Sequence, residues 1–282
     1  MTDLRYVYAV CRPFDTPPPA ALTGVAGGHP RLLHHGDLVA VVADVPERDF
    51  AEEPLHAHLE DLDWLGETAR AHERVIDACS GLTTTLPLRL ATVFHDDEGV
   101  RRMLTAQDAA LRSTLDRLEG RVEWGVKVYA EPEDEPAGKN AGQGSAGEEN
   151  AGEGSAGGEN AGRTTDRPAS GRDYLRQRRH AVRAREDTWE RAERFANRLH
   201  TDLTAHAEAA RLHPLQSGPL ATTPGHNVLN AAYLLPRTGS RAFMDLVEGV
   251  RGTEPGISVQ LTGPWAAYSF IGDALGQEEA RR

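Results

Sequence analysis

Apolar and polar residues alternate with period two along two stretches of this chain, the pattern of strands with one buried face. Val122, Trp124, Val126 and Val128 interleave with Glu123, Gly125, Lys127 and Tyr129. Leu86, Leu88 and Leu90 interleave with Pro87, Arg89 and Ala91. Tyr6 to Val10 gives a first strand, and the unbroken apolar run Leu38 to Ala43 fits a central strand buried on both faces. Between them the pattern predicts helices near 55–80 and 97–118. In the second, Val100, Leu104, Leu111, Leu115 and Leu118 fall near helical spacing, and Gly120 stops it. The order β-β-α-β-α-β is too irregular for a doubly wound parallel sheet. It predicts an α+β layer, with helices on one face of a mostly antiparallel sheet.

Past residue 171 the period changes. Leu175, Val182, Trp189, Ala196, Leu203 and Ala210 recur every seven residues, with Ala192 and Leu199 in the interleaved seam. This predicts one long helix over 172–212, although Arg178, Arg185 and His206 interrupt the second row. The imperfect seam favours packing on the helix's own domain over a coiled-coil dimer. A strand at 227–235, a helix at 240–251 and a strand at 257–262 follow. Gly263-Pro264 is expected to break that last strand, with the sequence AAYSF extended beyond it. Trp124 is expected on a packing face, and Trp265 wedged between strand and helix.

Residues 131–171 stand apart. They carry an imperfect ten-residue repeat, NAGQGSAGEE then NAGEGSAGGE, with no aliphatic or aromatic residue larger than alanine over 140–162. Such composition buries too little apolar surface to offset the entropy of ordering, so a disordered Gly/Ala/Glu-rich linker is expected. Nine acids against three bases give it a charge of −6, half of the chain's −12. The expected divisions are an N-terminal α+β domain at 1–130, the linker at 131–171, a long helix opening a C-terminal α+β domain at 172–275, and a frayed tail at 276–282.

The acidic balance argues against a nucleic-acid partner. No apolar run approaches the roughly 20 residues that cross a bilayer, and the first residues lack a signal-peptide pattern, so a cytoplasmic protein is expected. Cys11 and Cys79 read as two apolar thiols in a reducing compartment.

The chain offers few groupings that could carry chemistry. His72-Glu73 lacks the second histidine of a zinc-protease helix, because position 76 is isoleucine, and the pair reads as a helix face with His72 at or near the surface. His34-His35 and His56/His58 lack a third ligand. Gly24, Gly27 and Gly28 do not form a dinucleotide loop. Neither a phosphate-binding loop nor a nucleophile elbow is present. No catalytic residue, metal site or cofactor is expected. One electrostatic feature remains: the long helix opens with Arg172, Arg176, Arg178, Arg179, Arg183 and Arg185 against Asp173. Cations there oppose the helix dipole, so an anion nearby would stabilise them.

Four strings remain that no catalytic logic explains: HERVID at 72–77, TTLPLRLATVF at 84–94, VEWGVKVY at 122–129 and LTGPWAAYSF at 261–270. With YVYAV at 6–10, DLVAVVADVP at 37–46, GRDYLRQRR at 171–179 and LNAAYLLPR at 229–237, they form an ordered set. That set resembles the GvpL/GvpF family of gas vesicle accessory proteins; the long repeat is the main departure from a typical member. The resemblance implies two α+β domains, one ferredoxin-like. It also implies binding to the small hydrophobic shell protein GvpA, contact with other gas vesicle accessory proteins, and a role in nucleating or assembling the vesicle. An apolar strip or open strand edge would serve such a partner. The candidate interface is Trp189, Leu199, Arg176, Arg179 and Trp265. Two other classes stay open: a small-molecule enzyme on an α+β scaffold, and an adaptor holding an acidic protein.

Overall fold

The computed structural model describes residues 3–14, 16, 18–131, 171–215 and 225–272. The repeat and the C-terminal tail, expected as linker and frayed end, lie outside the described residues. The first strands are β1 (Asp3–Cys11), β2 (Arg31–His35) and β3 (Leu38–Pro46). Helices α1 (Glu47–Phe50), α2 (Glu52–Glu60) and α3 (Leu62–Ser80) follow, then strands β4 (Thr85–Pro87) and β5 (Val93–Phe94). Helices α4 (Asp97–Ala106) and α5 (Asp108–Leu118) lead to strand β6 (Arg121–Ala130). After the undescribed segment come helix α6 (Gly171–Ala205), strands β7 (Ala209–Leu212) and β8 (His226–Pro236), helix α7 (Ser240–Val250) and strand β9 (Ile257–Trp265). A short 3₁₀ turn, Tyr268–Phe270, lies at the end of the described chain.

The fold is α+β with two antiparallel sheets. The first has the order β2-β3-β1-β4, with β5 also paired to β1. Helices cover both of its faces, which corrects the one-sided expectation. On one face Phe50 of α1 and Ala71, Val75, Ile76 and Cys79 of α3 meet Tyr6, Tyr8 and Val41. On the other, Val100 and Leu104 of α4 and Leu111 and Leu115 of α5 meet Val7, Val42 and Leu86. The run Leu38–Ala43 is fully buried, as a strand covered on both faces requires. A register shift between Val7 and Ala9 turns Tyr8 and Ala9 onto the α3 face together. Cys11 and Cys79 are free, buried members of that layer.

The second sheet has the order β7-β8-β6-β9. The sequence reading places β6 with the residues before it; instead it is central here, paired along its length with β8 and β9. Alternation identifies a strand and its buried face but carries no information about its neighbours. The apolar set does face the core: Val122, Trp124, Val126 and Val128 pack against Ala192, Phe195, Ala196, Leu199 and Leu203 of α6 and Phe243 and Val247 of α7. Both helices lie on that one face. The Trp124 indole N–H donates to Ser240 Oγ at 3.1 Å.

Three further expectations are corrected. The long helix ends at Ala205 rather than 212, because Ala209–Leu212 forms an edge strand on β8. Among the residues of this helix whose burial is described, Arg176, Arg179, Arg183, Glu186 and Asp187 are exposed, and burial starts at Thr188. Strand β9 runs through Gly263-Pro264, a cis peptide, as far as Trp265 opposite Glu123. An edge strand tolerates proline, since its outward side has no ladder bond to lose. Gly263 has φ of 125°, and a Cβ there would sit 2.8 Å from the Glu123 carbonyl oxygen. Finally, AAYSF is not extended; it coils into the 3₁₀ turn and returns the chain to the first sheet.

Candidate partner-binding crevice

That return segment builds the site. Ala266 and Tyr268 pack against the α3 layer, and Tyr268 and Ile271 against the α4/α5 layer. Ala267 and Phe270 form a small cluster with Leu118 of α5 and Ala232 and Leu234 of β8. Arg117 Nη2 donates to the Phe270 carbonyl oxygen at 2.5 Å. The two sheets are therefore joined across the face of the second that α6 and α7 leave open. A crevice of about 500 Å³ opens at the seam, lined by Ala69, His72, Glu73, Leu88, Arg89, Leu90, Glu123, Trp265 and Tyr268. A neighbouring cleft of about 620 Å³ includes Asp77, Leu82 and Arg121, and Trp265 lines both.

Each lining group is fixed by its element. His72 lies on the α3 stripe of Thr68, Ala71, Val75, Ile76 and Cys79, and it is buried, not at the surface as expected. The Ala91 N–H donates to Tyr6 Oη at 3.0 Å, and Tyr6 Oη lies 2.9 Å from His72 Nδ1. His72 Nε2 lies 3.3 Å from the Leu88 carbonyl oxygen. One assignment satisfies all three: Tyr6 donates to Nδ1 while Nε2–H donates to Leu88, so the ring is neutral. Burial pulls the His72 pKa down to about 4 against a weaker opposing effect from Leu88. It also raises the Tyr6 phenol.

Glu123, opposite Trp265 in the ladder, is buried on the face away from α6. The Ser269 backbone N–H donates to Oε2 at 2.8 Å and the Ser269 hydroxyl to Oε1 at 2.6 Å. His213 Nε2 lies 3.0 Å from that hydroxyl. Burial raises the Glu123 carboxyl while the Ser269 bonds oppose it. Burial, then Arg211 and Lys127, lower His213. This chain of bonds ties β6, the β7 end and the return segment together.

Glu73 and Asp77 lie one turn apart on α3. Burial, then Asp77, raises Glu73; burial raises Asp77. Burial, then both carboxylates, raises the Tyr268 phenol, which places all three groups in one neighbourhood. Among the described residues no three His, Cys, Asp or Glu side chains are grouped to hold a metal ion.

The expected interface residues do not converge. Leu199 is 4% exposed, inside the second core, so it is not a surface group. Trp189 is 45% exposed rather than in a packed seam; its ring lies 4.3 Å from His226, and its N–H donates to Glu193 at 2.9 Å. Arg176 and Arg179 are exposed farther along the same helix. Trp265 alone reaches the crevice, 37% exposed rather than wedged into a core. Sequence reasoning missed Glu73, Leu88, Glu123 and Tyr268. The signal was present: the crevice is lined from all four strings that catalytic logic left unexplained.

Taken together, the chain is a two-sheet α+β protein whose sheets are clasped by a C-terminal return segment, with an aromatic, carboxylate-flanked crevice at the seam. The family model for the gas vesicle synthesis protein GvpL/GvpF matches residues 4–272, and the chain belongs to that family. It is 52% identical to gas vesicle protein L of Streptomyces sp. (strain CB03234), over 96% of this chain and 94% of that protein. It is 24% identical to gas vesicle protein F of the same organism, over 94% and 98%. The crystal structure of gas vesicle protein GvpF from Anabaena sp. PCC7120 shares the fold, with a TM-score of 0.62 over 96% of each chain at 17% identity. Among the described residues no helix is long and apolar enough to cross a membrane.

Proposed function

We propose that this protein is a cytoplasmic gas vesicle accessory protein that binds the small hydrophobic shell subunit GvpA and supports nucleation or assembly of the vesicle, acting by binding rather than turnover. The observation that carries the reading is the convergence of the four family strings on one crevice. The state of its titratable groups points the same way. Both His72 nitrogens and both Glu123 carboxylate oxygens already have partners within the protein. A general acid or base needs a free position within hydrogen-bond reach of a substrate. Other gas vesicle accessory proteins are further proposed partners, with the exposed Arg176, Arg179 and Trp189 of α6 as an additional surface.

The test is capture of GvpA by tagged protein in cells that carry the remaining vesicle genes, together with vesicle formation after deletion of this gene. Capture and loss of vesicles are expected. The proposal fails if the wild-type protein neither captures GvpA nor is needed for vesicles.

A further inference from the structure

We propose that the crevice at the seam of the two sheets is the docking site for the shell subunit, and that it takes an apolar segment carrying a basic side chain; this rests on the function proposed above. The basic group would lie along the Glu73–Asp77 face of α3, and its apolar neighbours against Trp265 and Leu90.

The first support is the aromatic surface. Trp265 lines both clefts while 37% exposed, and Tyr268 lies beside it. Large exposed aromatics at the mouth of a cleft are the groups that anchor protein interfaces. Other exposed side chains, such as Leu62 and Leu212, lie outside this cleft, and scattered apolar residues need no partner.

The second support is charge, and it selects the occupant. Glu73 and Asp77, four residues apart on one helix face, repel each other. Among the described residues neither has an ion-pair or hydrogen-bond partner, and both carboxyls are raised, as partly desolvated acids without a counter-charge should be. Arg89 also lines the crevice but is exposed, and no ion pair joins it to either acid. An incoming cation would relieve that repulsion, and Trp265, which shares a cleft with each acid, could offer its ring to it. An acidic segment would add to the repulsion instead.

Tagged protein and co-expressed GvpA should be captured at about 50 mM and about 300 mM salt, where screening differs about two-fold in length. The wild type should lose several-fold in capture as salt rises. Glu73→Gln with Asp77→Asn should bind about ten-fold less at low salt and show a flattened salt response. Trp265→Ala should bind about ten-fold less at both salts while keeping a cooperative melting transition. If Trp265→Ala does not fold, the surface pair Glu73→Gln/Asp77→Asn decides alone. Wild-type capture and salt response in both variants would overturn the docking site while leaving the shell-subunit reading intact. Loss on Trp189→Ala alone would overturn it in favour of α6. Loss on Trp265→Ala with an unchanged salt response in the carboxylate pair would overturn the basic-segment chemistry. Failure of the wild type to capture GvpA at either salt would overturn the functional reading and this inference together.

Discussion

The two sheets solve the same problem differently. The first is covered by helices on both faces, so the middles of its central strands are apolar, and polar groups buried there include two bonded pairs, Tyr6 with His72 and Tyr8 with the Val25 amide. The second has helices α6 and α7 on one face, and its other face carries Glu123, Lys127 and Asn230. That face is closed in part by the return segment. The lesson is that a half-covered sheet leaves a seam where partly hydrated carboxylates and a tryptophan coexist. A sheet covered on both faces has no such place.

The comparison is most severely tested in the helical layer of the second sheet. Leu199→Glu puts an unpaired charge into that core and should cost at least about 4 kcal/mol, seen as loss of the cooperative thermal transition. A folded, stable Leu199→Glu protein would mean that α6 is not the core layer of this sheet. Next come the two tryptophans on opposite faces of it. Trp124→Ala should cost about 3–5 kcal/mol. Trp265→Ala, with a good part of its surface already in water, should cost about 1–2 kcal/mol by denaturant unfolding. Equal costs would erase the distinction between the packed face and the seam.

The first sheet's layer is tested through pH. The folded His72 pKa, about 4, is depressed below the unfolded value near 6.5. Between those values the unfolded chain binds more protons, so its stabilising contribution is present above about pH 6.5 and lost as pH falls towards 4. The loss is on the order of 3 kcal/mol. Glu73, Asp77 and Glu123, raised in the fold, contribute with the opposite sign, so the readout is the difference between wild type and His72→Gln. Glutamine can accept from Tyr6 and donate to Leu88 without titrating. Parallel stability curves from about pH 7 to about pH 4 would show that His72 is not held neutral.

Much of this architecture is readable from residue order, for identifiable reasons. Alternation at Val122–Val128 names the buried face correctly because one side of that strand meets helices and the other does not. It cannot name the neighbouring strands, because ladder pairing uses backbone groups that every residue carries. The heptad runs on to Ala210 because alanine suits helix and edge strand alike, and no glycine or proline marks the switch. For His72, residue type is the misleading signal. Its spacing on the stripe Thr68, Ala71, Val75, Ile76, Cys79 is the better one, since a neutral, doubly bonded imidazole can occupy a core position. The crevice itself is legible only as four unexplained strings, because its walls come from segments nearly 200 residues apart in the chain.

The placement of β6 has a consequence for how the chain can be cut. The second sheet takes its middle strand from before residue 131 and all its others from after 171. A fragment ending at 131 would therefore carry two unsatisfied strand edges, and a fragment starting at 171 would have a gap between β8 and β9. The second sheet is complete in neither, yet each holds what the other lacks. Severed anywhere between them, the protein should remain one particle, and the two pieces made separately should reconstitute it by inserting a single strand.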